Sequence, residues 1–138
     1  NLLIDLLRKS PHVSYLNTWG CELCTDRTLE ALANIYIPQQ TKSETTNGTG
    51  GKNGPSLAHL ILRFSSVTPS GMKYIAPFAN LQTLEYNPGI TDKEVVHLIH
   101  LTKLEHLRIN FSLISDKGLA AIASKLSKLK ELQLSGCE

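Results

Sequence analysis

Leu104-Glu105-His106-Leu107-Arg108-Ile109-Asn110-Phe111-Ser112 sets down leucine, two residues, leucine, one residue, an apolar residue, two residues and then a small one. Ile114-Ser115-Asp116-Lys117-Gly118-Leu119-Ala120-Ala121-Ile122-Ala123 completes the same unit. The first half alternates apolar and polar side chains and predicts a short strand. The second opens on a hydroxyl-bearing cap and an acid and continues at helical spacing, which predicts a helix. Working outward, the strand half returns as Leu57-x-x-Leu60-x-Leu62-x-x-Ser65, Leu81-x-x-Leu84-x-Tyr86-x-x-Gly89 and Leu129-x-x-Leu132-x-Leu134-x-x-Cys137. A more degenerate copy, Val13-x-x-Leu16-x-Thr18-x-x-Cys21, stands ahead of them. A period of this size predicts a solenoid, because each strand–helix unit buries its apolar face only against its neighbours.

The helix half recurs as Cys24-Thr25-Asp26, Val67-Thr68-Pro69 and Ile90-Thr91-Asp92, each followed by apolar residues at helical spacing. The period is 24 residues from Leu57 to Leu81, 23 from Leu81 to Leu104 and 25 from Leu104 to Leu129. From Val13 to Leu57 it is 44. The surplus lies near 39–55, a polar stretch without a large apolar side chain, expected to be a disordered insertion. Residues 1–138 are therefore expected to form a single domain of about five repeats. The chain starts on half a repeat and stops after a strand without a polar cap at either end. A slice of a longer array is expected, or a chain docked against other subunits and prone to self-association through Leu3, Leu6, Leu132 and Leu134.

On these residues the chain resembles the cysteine-containing subclass of leucine-rich repeats. In that subclass the strand motif ends in Cys or a small residue, and Ile-Thr-Asp-x-Gly-Leu and a helix follow. Leu132-Gln133-Leu134-Ser135-Gly136-Cys137, Ile114-Ser115-Asp116-Lys117-Gly118-Leu119 and Ile90-Thr91-Asp92 carry the likeness. Thr18, where a strand leucine is usual, and Pro69, in place of the acid, depart from it. The resemblance implies an α/β leucine-rich repeat solenoid, right-handed, with a parallel sheet on the concave side and helices on the convex side. It implies a protein–protein interaction module. The family is best known from F-box/LRR proteins, so a substrate-recognition arm of an SCF-type ubiquitin ligase is one alternative, although no F-box is read in this sequence. A structural subunit of a large assembly is another.

The strand leucines point into the core, and the residues between them point to the open face. Stacked repeats therefore align Tyr15, His59, Thr83, His106 and Glu131 in one ladder and Asn17, Ile61, Glu85, Arg108 and Gln133 in a second. A third holds Trp19, Arg63, Asn87, Asn110 and Ser135, with Gly20, Phe64, Pro88, Phe111 and Gly136 beside it. Strands about 4.8 Å apart make these ladders roughly 20 Å long. Tyr15, Trp19, His59, Ile61, Arg63, Phe64, Glu85, His106, Arg108 and Phe111 are the candidate partner-binding residues, since Trp, Tyr and Arg dominate interface hot spots. Trp19, Ile61, Arg63 and Arg108 are expected to be exposed. Phe64 and Phe111 either join them or turn inward beneath the turn.

A net charge of +2 does not suggest nucleic acid as a partner. No apolar run reaches the roughly 18 residues a membrane span needs. The three cysteines form no disulfide framework, which favours an intracellular setting, cytoplasmic or nuclear. Cys21-Glu22-Leu23-Cys24 has knuckle spacing but lacks a second ligand pair, and both cysteines fall on structural positions of the repeat. His97-x-x-His100 falls at a helix end, with His97 expected on the exposed side, and lacks a metal-site context. The sequons at Asn47 and Asn110 carry little weight. No phosphate loop, nucleophile elbow or carboxylate pair is present, and Lys117, Lys125, Lys128 and Lys130 read as a solvated face. Neither cofactor, metal nor enzymatic activity is expected.

Overall fold

The computed structural model describes residues 2–10, 12–36 and 57–136. The expected insertion near 39–55 and the repeat position at Cys137 lie outside the described residues. In chain order the elements are α1 (Leu2–Lys9), β1 (Tyr15–Asn17), α2 (Asp26–Tyr36), β2 (His59–Leu62), a 3-10 helix (Pro69–Tyr74), β3 (Thr83–Tyr86), α3 (Asp92–Leu98), β4 (His106–Asn110), α4 (Asp116–Lys125) and β5 (Glu131–Ser135). The strands form one parallel sheet in the order β1-β2-β3-β4-β5. Each strand with the helix after it is one repeat, and repeat 1 begins at β1.

The backbone repeats as regularly as the sequence. Ser14 O accepts from the N–H groups of both Ala58 and His59, Ala58 O from Gln82 and Thr83, Gln82 O from Glu105 and His106, and Glu105 O from Lys130 and Glu131. This fixes the register in which Leu16, Leu60, Leu84, Leu107 and Leu132 lie side by side. Leu60, Leu84 and Leu107 are fully buried, together with Leu62, Tyr86 and Ile109 on the strands and Leu29, Leu32, Met72, Val95, Leu98 and Ile122 on the helices. Each fully buried side chain of this kind contributes roughly 1.5–3 kcal/mol. Thr18, the departure from the strand pattern, is buried and donates its hydroxyl to Ile61 O at 3.2 Å. Tyr86 stands in for a strand leucine, with its ring in the core and its hydroxyl donating to Thr68 O. Burial pushes that phenol's pKa up.

The aspartates of the helix half do more than favour the helix dipole. Asp26 reaches across to repeat 2, where Oδ1 accepts from the Thr68 N–H at 2.8 Å and Oδ2 from the hydroxyls of Thr68 and Ser70. Asp92 does the same to repeat 4, accepting from the Ser115 N–H at 2.9 Å and from its hydroxyl. The third helical position of the receiving repeat is glycine in both cases. A Cβ at Gly71 would run into Asp26 Oδ1, and one at Gly118 into Asp92 Oδ1.

Between repeats 2 and 3 the pattern is interrupted. Pro69 offers no carboxylate to Thr91, and the receiving position holds Glu94, not glycine. Glu94 closes a capping box within its own repeat, accepting from the Thr91 N–H at 2.8 Å while Thr91 Oγ1 accepts from the Lys93 N–H. Isolated parallel bridges link Thr25 to Ser66 and Thr91 to Leu113, the same two joins that the aspartates tie.

Two expectations are corrected here. The second repeat carries a 3-10 helix where an α-helix was expected. Prolines 69 and 77 bracket this short stretch, and Thr68 spends its hydroxyl on Asp26, leaving no side-chain cap bond. His97 is half-buried in the last turn of α3, and it is His100, past the helix end, that is exposed.

Candidate functional site

The open face of the sheet is built from the residues between the strand leucines. In the first ladder, Tyr15 is exposed and its ring lies 5.8 Å from that of His59, whose Nδ1 is 3.0 Å from Thr83 Oγ1. His106 continues the row, half-buried between Thr83 and Glu131.

A charge network crosses the second ladder. Arg108 donates from Nη1 to Glu85 Oε1 at 2.7 Å and from Nε to Glu131 Oε1 at 2.9 Å. The bond from Arg108 holds the Glu131 carboxyl below its usual range, and Glu131 in turn raises the guanidinium. Arg63 Nη1 stands 3.7 Å from Glu85 Oε2, too long for a hydrogen bond. Among the described residues the Arg63 guanidinium makes no hydrogen bond, and its Nε is buried without an acceptor.

Aromatic rings take up what the hydrogen bonds leave. Arg63 Cζ lies 4.8 Å from the Trp19 ring centroid and 5.8 Å from that of Phe64, and the two rings are 6.1 Å apart. Trp19 is 60% exposed, Phe64 58% and Phe111 64%. The inward alternative for the two phenylalanines therefore does not hold. Their outward direction follows from the backbone: Gly20, Phe64, Phe111 and Gly136 hold the same place at the strand ends, with φ of 69°, 53°, 55° and 67°. Two repeats fill this left-handed position with glycine and two with phenylalanine. The Phe111 ring lies over Gly136, where a Cβ would come within 2.8 Å of its Cδ1.

Of the four residues expected to be exposed, only Trp19 is: Arg63 and Arg108 are half-buried and Ile61 is buried, as is Glu85 in the same ladder. Ile61 is only 9% exposed, yet it stands outside the core cluster. It lies on the open face between Asn17 and Glu85 in register. Glu85 is buried because it bridges the two arginines. Glu131 joins this network although it was not among the candidates. Its place in the same ladder as His106 was the available clue. Asn110 donates to Asn87 Oδ1 at 2.9 Å and is buried, which leaves no room for a glycan there.

The remaining candidates for chemistry are structural in their surroundings. Cys24 is fully buried, and burial pushes its thiol pKa up, the reverse of nucleophilic activation. Cys21 is partly buried against the core. Among the described residues, no group of three or more His, Cys, Asp or Glu side chains is placed to hold a metal ion. None of their helices is long and apolar enough to cross a membrane.

A family model described as a leucine-rich repeat matches residues 100–123, the fourth strand–helix unit. No curated protein matches the chain. With the matched unit repeated along a five-stranded parallel sheet, the fold is an α/β leucine-rich repeat solenoid.

Proposed function

We propose that this protein is an interaction module that binds a protein partner on the open face of its sheet. Repeat solenoids of this class generally use their extended sheet surfaces for protein–protein contacts. The observation that carries the assignment is the pair of phenylalanines, exposed and left-handed at positions that glycine fills in other repeats. Neither core packing nor backbone preference accounts for a large apolar ring there. With Trp19, Tyr15, Arg63 and Arg108 they supply the residue types that anchor interfaces, while His59, Ile61, Glu85 and His106 form the floor between them. Residues 1–138 then act as one binding domain, in a reducing compartment where Cys21 and Cys24 remain thiols.

A photo-crosslinking residue placed in turn at positions 64, 111 and 96 tests this in cells. Val96 is also exposed, but on α3. Positions 64 and 111 are expected to give one discrete crosslinked species that the Trp19→Ala/Arg63→Ala double variant loses. Crosslinking only from position 96 would reject the open face as the binding surface.

A second reading is the substrate-recognition arm of an SCF-type ubiquitin ligase. It is favoured by the Ile114-Ser115-Asp116-Lys117-Gly118-Leu119 stretch, on which the resemblance to the cysteine-containing subclass rests. Its test is an F-box in the gene sequence adjoining this segment.

A further inference from the structure

The Arg63 guanidinium is held in an unusual way. Its Cζ lies within cation–π distance of Trp19 and Phe64, and its Nη1 faces Glu85 at 3.7 Å. Among the described residues it makes no hydrogen bond, and its Nε is buried without an acceptor. A guanidinium stacked against aromatic rings presents its donors edgewise, in the plane that suits a carboxylate fork. Arg108, two strands away, is the contrasting case, with donors spent on Glu85 and Glu131. The nearest carboxylate to Arg63 is also Glu85, and Arg108 binds it more closely.

On the strength of the open-face reading above, we infer that Arg63, Trp19 and Phe64 form a subsite for a carboxylate side chain of an extended peptide segment. An apolar residue of that segment rests on Phe111. Complementarity of charge argues for an acid opposite Arg63, the cation of this face left without a hydrogen bond. The four charges Arg63, Arg108, Glu85 and Glu131 sum to zero, which favours a singly charged carboxylate over a dianionic phosphate beside Glu85. Spacing argues for the second contact. Phe64 and Phe111 end strands two apart, about 10 Å. A segment in the polyproline II conformation, with three residues per turn and about 3.1 Å per residue, returns a side chain to the same face at that spacing. The segment recognised is thus an Asp or Glu with an aromatic or aliphatic side chain three residues away.

Trp19 is the chain's only tryptophan, so its fluorescence reports on this subsite alone. The experiment is a selection of random twelve-residue peptides on the immobilised full chain, followed by titration of the enriched peptide against Trp19 emission. Enrichment of acidic-plus-apolar sequences is expected, with a change in emission on binding. Affinity is expected to fall at least about tenfold with Arg63→Met and less with Arg63→Lys, which keeps charge but loses the fork. Unchanged circular dichroism and urea midpoint for each variant would show that the loss is local. Neutral or basic enriched sequences, or full affinity in Arg63→Met, overturn the carboxylate subsite. If that binding is still lost with Arg108→Met or His106→Ala, the open-face reading survives. Binding indifferent to every open-face substitution, or no enrichment, overturns both. A phosphoserine version of the peptide that binds tighter than the glutamate version would replace the carboxylate with a phosphate.

Discussion

Phe64 and Phe111 occupy a backbone well that costs an L-residue roughly 1–2 kcal/mol and glycine almost nothing. Phe64→Gly is expected to unfold at an unchanged or higher urea midpoint, by up to about 1 kcal/mol, because relief of strain offsets the lost ring contacts. Phe64→Ala keeps the strain and loses the ring, so its midpoint should fall. If both variants lose equal stability, the ring is structural and the argument from strain fails. The sequence placed both phenylalanines on the right row but left their direction open, because a positive φ is legible only where glycine announces it, as at Gly20 and Gly136. The burial of Ile61 was illegible for another reason: it depends on neighbours set beside it by strand register, which no single-strand pattern encodes.

Helix caps were legible element by element, and Thr91 and Ser115 cap as their spacing predicts. The cross-repeat role of the aspartates was not, because it joins residues that only stacking brings together. Asp92 is held below its usual carboxylate range chiefly by the hydrogen bonds from Ser115. A depressed folded value means its stabilisation is complete above the unfolded-state value near about 3.9 and is lost as pH falls through the lower folded one. Asp92→Asn should therefore melt below the natural protein at pH 7, with the gap closing as pH falls through the lowered folded-state value. The glycine that receives this aspartate gives a test of opposite sign to propensity. Alanine usually improves a helix interior by about 1 kcal/mol over glycine, yet Gly118→Ala is expected to destabilise, since its Cβ meets Asp92. Its Cβ also meets Ile114 Cγ2 at 2.5 Å, so combining Gly118→Ala with Asp92→Ala should remove only the share of the penalty due to the carboxylate, as measured by a double-mutant cycle.

For the whole molecule, the regular period made the solenoid readable, because stacking is the only way each unit can bury its leucines. One repeat position then carries different weight along the stack. Leu107→Ala, inside it, should cost about 2–5 kcal/mol by urea denaturation. Leu132→Ala, on the 41%-exposed side chain of β5, should cost about 1 kcal/mol. Equal costs would mean that stability is not distributed as a stack of neighbours. The same logic gives Pro69 a mechanical meaning. Charge-assisted clasps at Asp26 and Asp92 tie repeats 1 to 2 and 3 to 4, while at the level of the turns the join between 2 and 3 has the neutral bond from Tyr86 to Thr68. Under tension along the stack, the turns of repeats 2 and 3, which lack a carboxylate clasp, are expected to part before the clasped turns on either side of them.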